Sequence, residues 1–438
     1  MSTVFAFKHS KVPSDDHDST PVSAHRGYVN RFARRLLVQK LGCLRGGTIQ
    51  ITDSSGSTTL GLGGDVQARL DVRNPSFYRH AVLGGSLSVA ESYLRGDWDC
   101  DDLTAFFRIF LRNLPITDQL ERGLSRITKL FHRLYHSWHA NSRSGSQRNI
   151  RAHYDLGNEF FRLMLDETLS YSSGIFLTPT STLHDASLEK MDRICRKLDL
   201  RPNDHLLEIG TGWGGLAIHA AVKYGSRVTT TTISQQQFDV AQQRIVDAGL
   251  SDRVTLLLQD YRDLTGQFDK LVSVEMIEAV GHRYFDNYFG KCSELLQPGG
   301  TFVLQGIVMP DRRYAQYLRS VDFIQRYVFP GGCLPSISSI LESTARATDL
   351  RFVHAEDFGM HYAQTLREWR QRFHARVTDV LALGYPHRFI RMWDYYLSYC
   401  EAAFEERYTG VVQIQFDKPL CQRDPIHIGR RAAEWCPL

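Results

Sequence analysis

A glycine-rich turn between a short apolar strand and a helix is the feature that most constrains this chain. It lies within residues 206–221, which read LLEIGTGWGGLAIHAA. Glu208 stands near the end of the strand, and Gly210, Gly212 and Gly214 follow at alternating positions. Glycines in such a turn let a ligand reach the backbone N–H groups at the start of the next helix. The spacing alone does not decide the ligand, because a dinucleotide-binding turn is similar.

Predicted strands and helices alternate from residue 186 onward. The predicted strands read HLLEIG, RVTTTTI, VTLLLQD, FDKLVSVEMI and TFVLQGIVM, with helical segments between them. This succession predicts an α/β fold with a doubly wound, Rossmann-like parallel sheet. Ligands of such folds bind beyond the carboxyl ends of the strands. We therefore expect Gly210, Asp260, residues 275–278 and Gln305 to meet in one cleft.

Acidic residues after the strands separate two classes of cofactor. A dinucleotide fold places an acid at the end of the second strand, where it binds the ribose. Here that strand ends in residues 230–233, TTTI, and the turn reads GxGxG rather than GxGxxG. An acid instead follows the third strand, at Asp260, where it can accept a hydrogen bond from an adenine amino group or cap the strand end. These features favour S-adenosylmethionine as the cofactor and methyl transfer as the chemistry.

The composition is that of an ordinary globular chain with two or three domains. Of its 438 residues, 42% are hydrophobic. No apolar run approaches the ~20 residues of a transmembrane helix, and the N-terminus lacks the apolar core of a signal peptide, so we expect a cytoplasmic protein. The eight cysteines form no CxxC pair, which predicts free thiols and no metal site. The net charge of +4 is mild, and no dense basic stripe indicates a nucleic-acid partner.

Changes in pattern divide the chain into four segments. We predict a disordered tail, a small domain, a basic amphipathic linker and a catalytic domain, with bounds 1–20, 21–115, 116–147 and 148–438. The small domain is predicted to hold a helix, a hairpin sheet and two further helices broken at Gly96. The linker can lie on an anionic membrane surface or pack between the domains as an ordinary amphipathic helix. The sequence leaves both interpretations open.

Several motifs together resemble one family, the cyclopropane-fatty-acyl-phospholipid synthases and the related mycolic acid methyltransferases. The resemblance covers about residues 85–416. It is carried by HYDLGNEFFRLMLD (153–166), EIGTGWGG (208–215), TISQQQ (232–237), LLLQDYRDL (256–264), SVEMIEAVG (273–281), YVFPGGCLPS (327–336) and FGMHYAQTLREW (358–369). The segment ESYLRGDWDCDDL (91–103) is similar to the end of the family's N-terminal lipid-associated domain. The resemblance implies a class I S-adenosylmethionine-dependent methyltransferase domain behind a smaller α+β domain.

The resemblance also implies a set of cofactor-binding residues. They are Tyr154, Tyr171, Ser172, Gly210, Gly212, Trp213, Gly214, Thr232, Ser234, Gln237, Asp260 and Tyr261. The segment that includes Tyr154 resembles a cover over the amino-acid end of the cofactor, although a turn before a helix explains it as well. Trp213 can shape the cofactor pocket or pack its helix.

The chemistry that the resemblance implies is methylene transfer to a cis double bond in a phospholipid acyl chain. The alkene carbon attacks the sulfonium methyl group, and a base then removes a proton from the carbocation so that the ring closes. In the family, that base is implied to be a bound bicarbonate. The pocket has to be apolar enough for an acyl chain and free of strong nucleophiles that would trap the cation.

The family's catalytic residues match this chain only in part. Glu278, Tyr362 and the backbone of Ile307 fall on the expected positions. Ser173 stands where the family has a cysteine, and Gln305 stands where it has a histidine. Serine and glutamine can still donate hydrogen bonds to an anion, but neither supplies the titratable proton of histidine. The bicarbonate site is therefore expected in altered form, or another base serves in its place.

The remaining expectations concern partners and alternatives. Cys400 matches a further family cysteine, although a buried helical thiol is the simpler interpretation. Aromatic, arginine-rich helices after residue 310 are expected to wall an acyl tunnel. The partners would be unsaturated acyl chains and the inner face of the cell membrane, with a homodimer left open. Three alternatives stay open as well: a methyl-branched product, a soluble small-molecule substrate, and a lipid-binding protein that has lost catalysis.

Overall fold

The computed structural model describes residues 21–122 and 156–423. The predicted tail 1–20, Tyr154 and most of the predicted linker 116–147 lie outside the described residues. Within the described ranges, no helix combines the length and apolar character needed to cross a membrane.

The N-terminal unit is a small four-stranded sheet covered by helices. Its strands are β1 (Gly47–Asp53), β2 (Gly56–Gly63), β3 (Val66–Val72) and β4 (Trp98–Cys100), in the order β2-β1-β3-β4. Its helices are α1 (Pro21–Leu41), α2 (Ser76–Leu83), α3 (Gly85–Arg95), α4 (Leu103–Arg112) and α5 (Leu114–Arg122). The predicted hairpin is the antiparallel pair β1 and β2. The predicted break at Gly96 is confirmed, because this glycine ends α3 in the left-handed conformation.

A seven-stranded sheet forms the centre of the second unit. Its strands are β5 (His205–Ile209), β6 (Arg227–Thr232), β7 (Val254–Leu258), β8 (Phe268–Val274), β9 (Leu296–Val308), β10 (Arg351–Asp357) and β11 (Gly410–Asp417). Their order is β10-β11-β9-β8-β5-β6-β7, and β5 to β9 are parallel to one another. The order reverses beside β5, so the doubly wound fold predicted from the sequence is confirmed.

Helices cover both faces of this sheet. They are α6 (Asn158–Met164), α7 (Leu183–Lys197), α8 (Gly215–Tyr224), α9 (Gln235–Asp247), α10 (Phe285–Leu295), α11 (Asp311–Tyr317), α12 (Ile337–Ala347), α13 (Gly359–Ala375), α14 (Val377–Ala382) and α15 (His387–Glu405). Besides the helices expected after residue 310, this part of the chain holds two strands that the sequence did not predict, β10 and β11. β11 pairs antiparallel with both β9 and β10 and is buried on both faces. A strand that is buried on both faces and pairs with strands distant in the chain has no hairpin turn beside it. The sequence GVVQIQFD therefore carries no local signal that predicts β11.

The N-terminal unit is fixed to the catalytic unit through α15. Arg391 on this helix donates from Nε to the carbonyl of Tyr93, at 2.6 Å, and from Nη2 to the carbonyl of Trp98, at 2.8 Å. Its guanidinium also pairs with Asp99 at 2.6 Å and lies 3.9 Å from the centre of the Tyr93 ring. Because α15 also lines the cleft described below, the small unit supports one wall of that cleft.

Arg391→Ala is expected to weaken this attachment. The substitution leaves two backbone carbonyls and one carboxylate without their cationic donor, at a cost of roughly 1.5–3 kcal/mol. Urea unfolding and limited proteolysis measure the effect, and we expect earlier cleavage between the units. The control is Arg388→Ala, an exposed position on the same helix, which should behave as the unmodified protein. Equal behaviour of the two variants would show that Arg391 does not hold the units together.

Candidate active site

The glycine turn lies where β5 meets α8, at the carboxyl edge of the sheet. Gly210 has a φ of 97°, a left-handed conformation that favours glycine. A Cβ atom there would lie 3.3 Å from the Met276 side chain, so the turn packs closely on the end of β8. Helix α8 then begins at Gly215, and its N-terminal N–H groups face the same cleft edge.

A cavity of about 420 Å³ extends from this turn into the catalytic unit. Most of the predicted cofactor-binding residues line it, namely Tyr171, Ser172, Gly210, Gly212, Trp213, Thr232, Gln237, Asp260 and Tyr261. Gly214 does not line the cavity but stands in the left-handed conformation before α8. Ser234 does not line it either, because its hydroxyl caps α9 by accepting from the N–H of Gln237. Of the residues expected to meet in one cleft, Gly210, Asp260, Glu275, Met276 and Glu278 line this cavity, whereas Ile277 and Gln305 do not. The binding of a cofactor by this set stays a prediction.

Asp260 has one of the two roles that the sequence left open, the cap of the strand end, and the adenine contact stays a prediction. Its carboxylate caps the turn after β7 by accepting from the backbone N–H of Arg262 at 3.0 Å, and it also pairs with that guanidinium at 2.7 Å. The residue still lines the cavity. The arginine thus holds an acid in place at the cofactor end of the cleft.

A buried lysine that the sequence reasoning missed lies beside the glycine turn. The Nζ of Lys190, on α7, donates to the hydroxyl of Ser172 at 2.9 Å. Burial lowers the pKa of Lys190, and the nearby carboxylates Glu275, Asp166 and Glu208 oppose this shift. The signal in the sequence was a charged residue on the apolar face of a predicted helix. Lys190 is the residue best placed to meet a negatively charged group of a cofactor at this end.

Glu208, the acid before the glycines, is also buried. One of its carboxylate oxygens accepts from the Thr230 hydroxyl at 2.6 Å. Burial raises the pKa of Glu208 to about 7. The carboxyl edge of the sheet therefore presents a lysine and a glutamate within one polar pocket.

Glu275 occupies the centre of the cleft, directly after β8. Its carboxylate accepts three hydrogen bonds: from the backbone N–H of Ser173 at 3.0 Å, from the Gln305 amide at 2.8 Å and from the Tyr362 hydroxyl at 2.6 Å. The residue has a φ of 49°, which for a residue other than glycine costs on the order of 1–3 kcal/mol. The surrounding donors stabilise this conformation. Such strain is typical of functional positions.

The predicted anion-site residues therefore surround a carboxylate of the chain itself. The Ser173 hydroxyl does not point to the site, because it donates to the carbonyl of Gly174 at 3.0 Å. Only the backbone N–H of Ser173 faces Glu275. A bicarbonate does not fit among these donors, because each of them already binds the Glu275 carboxylate and a second anion would be repelled.

A chain of buried polar groups sets the orientation of the Gln305 amide. The Nζ of Lys197 donates to the side-chain amide oxygen of Gln413 at 2.7 Å and to the carboxylate of Glu356 at 2.6 Å. The Gln413 amide then donates to the Gln305 oxygen at 3.0 Å, which leaves the Gln305 NH₂ group to face Glu275. An ammonium can only donate, so the direction of every bond in this chain is determined.

Glu278 lies one turn further on and differs from Glu275 in its surroundings. Its Oε1 accepts from the backbone N–H of Ile307 at 2.6 Å, and its buried Oε2 has no hydrogen-bond partner among the described residues. Burial, together with the charge of Glu275, raises the pKa of Glu278 to about 8. Burial also raises the pKa of Glu275, but hydrogen bonds from Tyr362, Ser173 and Gln305 work against that shift. Within the pair, Glu275 is therefore the carboxyl group that ionises more readily.

An aromatic chamber adjoins the two glutamates. Tyr362 stacks on Phe404 with 4.5 Å between ring centres, and the hydroxyls of Tyr171 and Tyr396 lie 2.9 Å apart. All four residues line the cavity, as does Cys400. Burial raises the pKa of the Cys400 thiol, so this group stays neutral and weakly nucleophilic. Aromatic faces carry a negative quadrupole that stabilises a cation, and the chamber offers it no strong nucleophile.

Comparison with known proteins identifies the family. The model for mycolic acid cyclopropane synthetase matches residues 141–414. The chain belongs to this family. It is an S-adenosylmethionine-dependent methyltransferase.

Two relatives align over most of both chains. The tuberculostearic acid methyltransferase UfaA1 of Mycobacterium tuberculosis is 39% identical over 365 residues, which cover 80% of this chain and 85% of the relative. The cyclopropane-fatty-acyl-phospholipid synthase of Escherichia coli is 38% identical over 361 residues, which cover 82% and 90%.

Solved structures show the same fold. The cyclopropane synthase MmaA2 from Mycobacterium tuberculosis is 28% identical, with a TM-score of 0.59 over 62% of this chain and 98% of that one. The mycolic acid cyclopropane synthase CmaA1, crystallised with SAH and CTAB, is 31% identical, with a TM-score of 0.58 over the same shares.

Glu278→Gln is expected to flatten the dependence of stability on pH. The pKa of Glu278 is about 8 in the folded protein against an ordinary 4.5, so the folded state binds more protons than the unfolded state between these values. Stability from this group is therefore present at pH 4.5 and lost as the pH rises toward 8.

The measurement is the urea midpoint at pH 5, 6.5 and 8 without ligands. The variant should gain stability relative to the unmodified protein as the pH rises, whereas Glu342→Gln, at an exposed position, should not. A pH dependence that Glu278→Gln leaves unchanged would show that this carboxyl group is not held neutral by burial.

Proposed function

We propose that this enzyme transfers a one-carbon unit from S-adenosylmethionine to the cis double bond of an unsaturated phospholipid acyl chain and forms a cyclopropane ring. The observation that supports this most is the union of the glycine turn, two buried glutamates and an aromatic chamber in one cavity. The cavity joins a polar end suited to the cofactor to an apolar end suited to an acyl chain.

Different residues along this cavity would have different roles in the reaction. The cofactor supplies an electrophilic methyl group. Lys190, Ser172 and the glycine turn would bind its polar end, and Asp260 would face the adenine. Aromatic faces in the chamber would stabilise the carbocation that develops on the acyl chain. A base near Glu278 would then take the proton.

The lipid acceptor is proposed to be reached at a membrane surface. Helix α1 exposes Tyr28 by 68% and Phe32 by 70%, with the exposed Arg31 and Arg35 on the same helix. Exposed aromatic residues beside arginines are typical of surfaces that bind anionic lipid. The N-terminal unit would thus present the catalytic unit to the membrane.

A second product is supported by the relative named tuberculostearic acid methyltransferase, which is 39% identical. After methyl transfer, the carbocation can lose a proton to give an alkene with the added carbon as a branch instead of a ring. The same cavity and the same base would serve both outcomes.

Labelled donor and lipid vesicles test the proposal. Incubation with methyl-labelled S-adenosylmethionine and vesicles of cis-unsaturated phospholipid should place the label in the lipid, whereas vesicles of saturated phospholipid should stay unlabelled. Proton NMR of the released acyl chains distinguishes ring protons at high field from methyl or methylene branches. Unlabelled lipid in both samples, with a soluble acceptor labelled instead, would contradict the proposal.

Tyr362→Phe is expected to slow the reaction without weakening cofactor binding. The change removes the hydroxyl that donates to Glu275 but leaves the ring against Phe404. We expect turnover to fall by about 10–100-fold, while the Kd for S-adenosylmethionine, measured by calorimetry, stays within about threefold. The control is Tyr224→Phe, whose hydroxyl binds Asp192 away from the cavity. An unchanged rate would remove the Tyr362 hydroxyl from the mechanism.

A further inference from the structure

We propose that the Glu275 carboxylate is the base that removes the proton from the transferred carbon, so that this enzyme needs no bicarbonate. The inference rests on the proposed function and names the catalytic group within it. It departs from the expectation that the family resemblance created, in which a bound bicarbonate is the base.

The first argument is that the hydrogen-bond donors of the expected anion site already have acceptors within the chain. The positions at which the resemblance predicts bicarbonate contacts are Ser173, Gln305, Tyr362, Ile307 and Glu278. The first three donate to Glu275, and the Ile307 N–H donates to Glu278. The Ser173 hydroxyl donates to the carbonyl of Gly174, and the other donors of the expected anion site are bound to a carboxylate of the chain. The Glu275 carboxylate is planar and presents two acceptor oxygens, as a bicarbonate at this site would.

The second argument concerns which glutamate carries the charge. Glu275 accepts three hydrogen bonds, whereas Glu278 accepts one, and its Oε2 has no partner within the part of the chain that the structure describes. Two adjacent buried carboxylates do not both stay ionised, and the one with more donors keeps the charge. Glu275 is therefore the anion and Glu278 its neutral neighbour.

The third argument is position. Glu275 directly follows β8 and lines the cavity. Its neighbour Met276 packs on Gly210 of the glycine turn, and its donor Tyr362 stacks on Phe404 of the aromatic chamber. The carboxylate thus stands between the cofactor end and the acyl end, where the transferred carbon has to lie. Three donors and the left-handed backbone hold it there without further rearrangement.

The step balances without any additional reagent. A C–H bond of the transferred carbon breaks, and its proton goes to a Glu275 oxygen. The electron pair of that bond forms the new C–C bond to the cationic carbon and closes the ring. If the branch forms, a hydride first shifts from the methyl-bearing carbon to the cationic carbon, and the same electron pair then forms the second bond of a methylene group. The positive charge of the carbocation and the negative charge of Glu275 are both neutralised.

The test uses the full-length enzyme with methyl-labelled S-adenosylmethionine and cis-unsaturated vesicles, in buffer freed of carbon dioxide. We expect the unmodified enzyme to keep its rate within about twofold when bicarbonate is removed or restored. Glu275→Gln should lose at least about 100-fold in turnover, with the Kd for S-adenosylmethionine within about threefold by calorimetry. Glu342→Gln, exposed on α12, should match the unmodified enzyme in every condition.

A second variant tests whether added bicarbonate can replace the Glu275 carboxylate. Glu275→Gly frees the three donors and suits the positive φ, so it opens a space for an exchangeable anion. Added bicarbonate should restore its turnover by at least about tenfold, and ¹³C NMR of labelled bicarbonate should show binding to this variant and not to the unmodified enzyme.

The outcomes separate the inference from the proposed function. A bicarbonate requirement of the unmodified enzyme, or full turnover by Glu275→Gln without bicarbonate, would overturn the role of Glu275 while leaving lipid methylation intact. Absence of lipid labelling by the unmodified enzyme, with and without bicarbonate, would instead overturn the proposed function. If Glu275→Gly fails to bind S-adenosylmethionine, the bicarbonate dependence of the unmodified enzyme and the Glu275→Gln rate still decide the question.

Discussion

The burial of two glutamates in one largely apolar cleft is the constraint on which the rest of the site depends. A buried carboxylate is tolerated only if donors replace the water it has lost. Glu275 obtains three donors, from the segment before α7, from β9 and from α13. Glu278 obtains one and is held neutral. The positions of these elements around β8 are therefore part of the chemistry and not only of the packing.

The same arrangement suits the cationic cofactor and, in the proposed reaction, a carbocation. At the glycine turn, Lys190, Glu208 and Asp260 provide ionisable groups that can meet polar groups of the cofactor. Next to Glu275 the wall carries the stacked rings of Tyr362 and Phe404. In the proposed reaction, a carbocation beside these rings would meet π faces and one anchored anion, a combination that favours loss of a proton over capture by a nucleophile.

Much of the fold could be predicted because local signals agreed with one another. The alternation of strands and helices, the glycine turn and the acid at Asp260 all follow from short-range patterns, and the cleft that collects them is confirmed. The last two strands were missed because β11 is buried on both faces and pairs antiparallel with β9, about a hundred residues earlier in the chain. Ser234 was assigned to the cofactor, although its hydroxyl caps a helix.

The sequence by itself determined the cofactor class, the doubly wound sheet and the presence of Glu278 and its neighbours at a strand end, because each of these depends on residues close together in the chain. The family resemblance also implied that serine and glutamine replace a cysteine and a histidine. Only the tertiary structure decided what those replacements mean. Ser173, Gln305 and Tyr362 lie 102, 30 and 87 residues from Glu275 along the chain. Their convergence on its carboxylate depends on the packing of β8, β9 and α13, which no local pattern encodes.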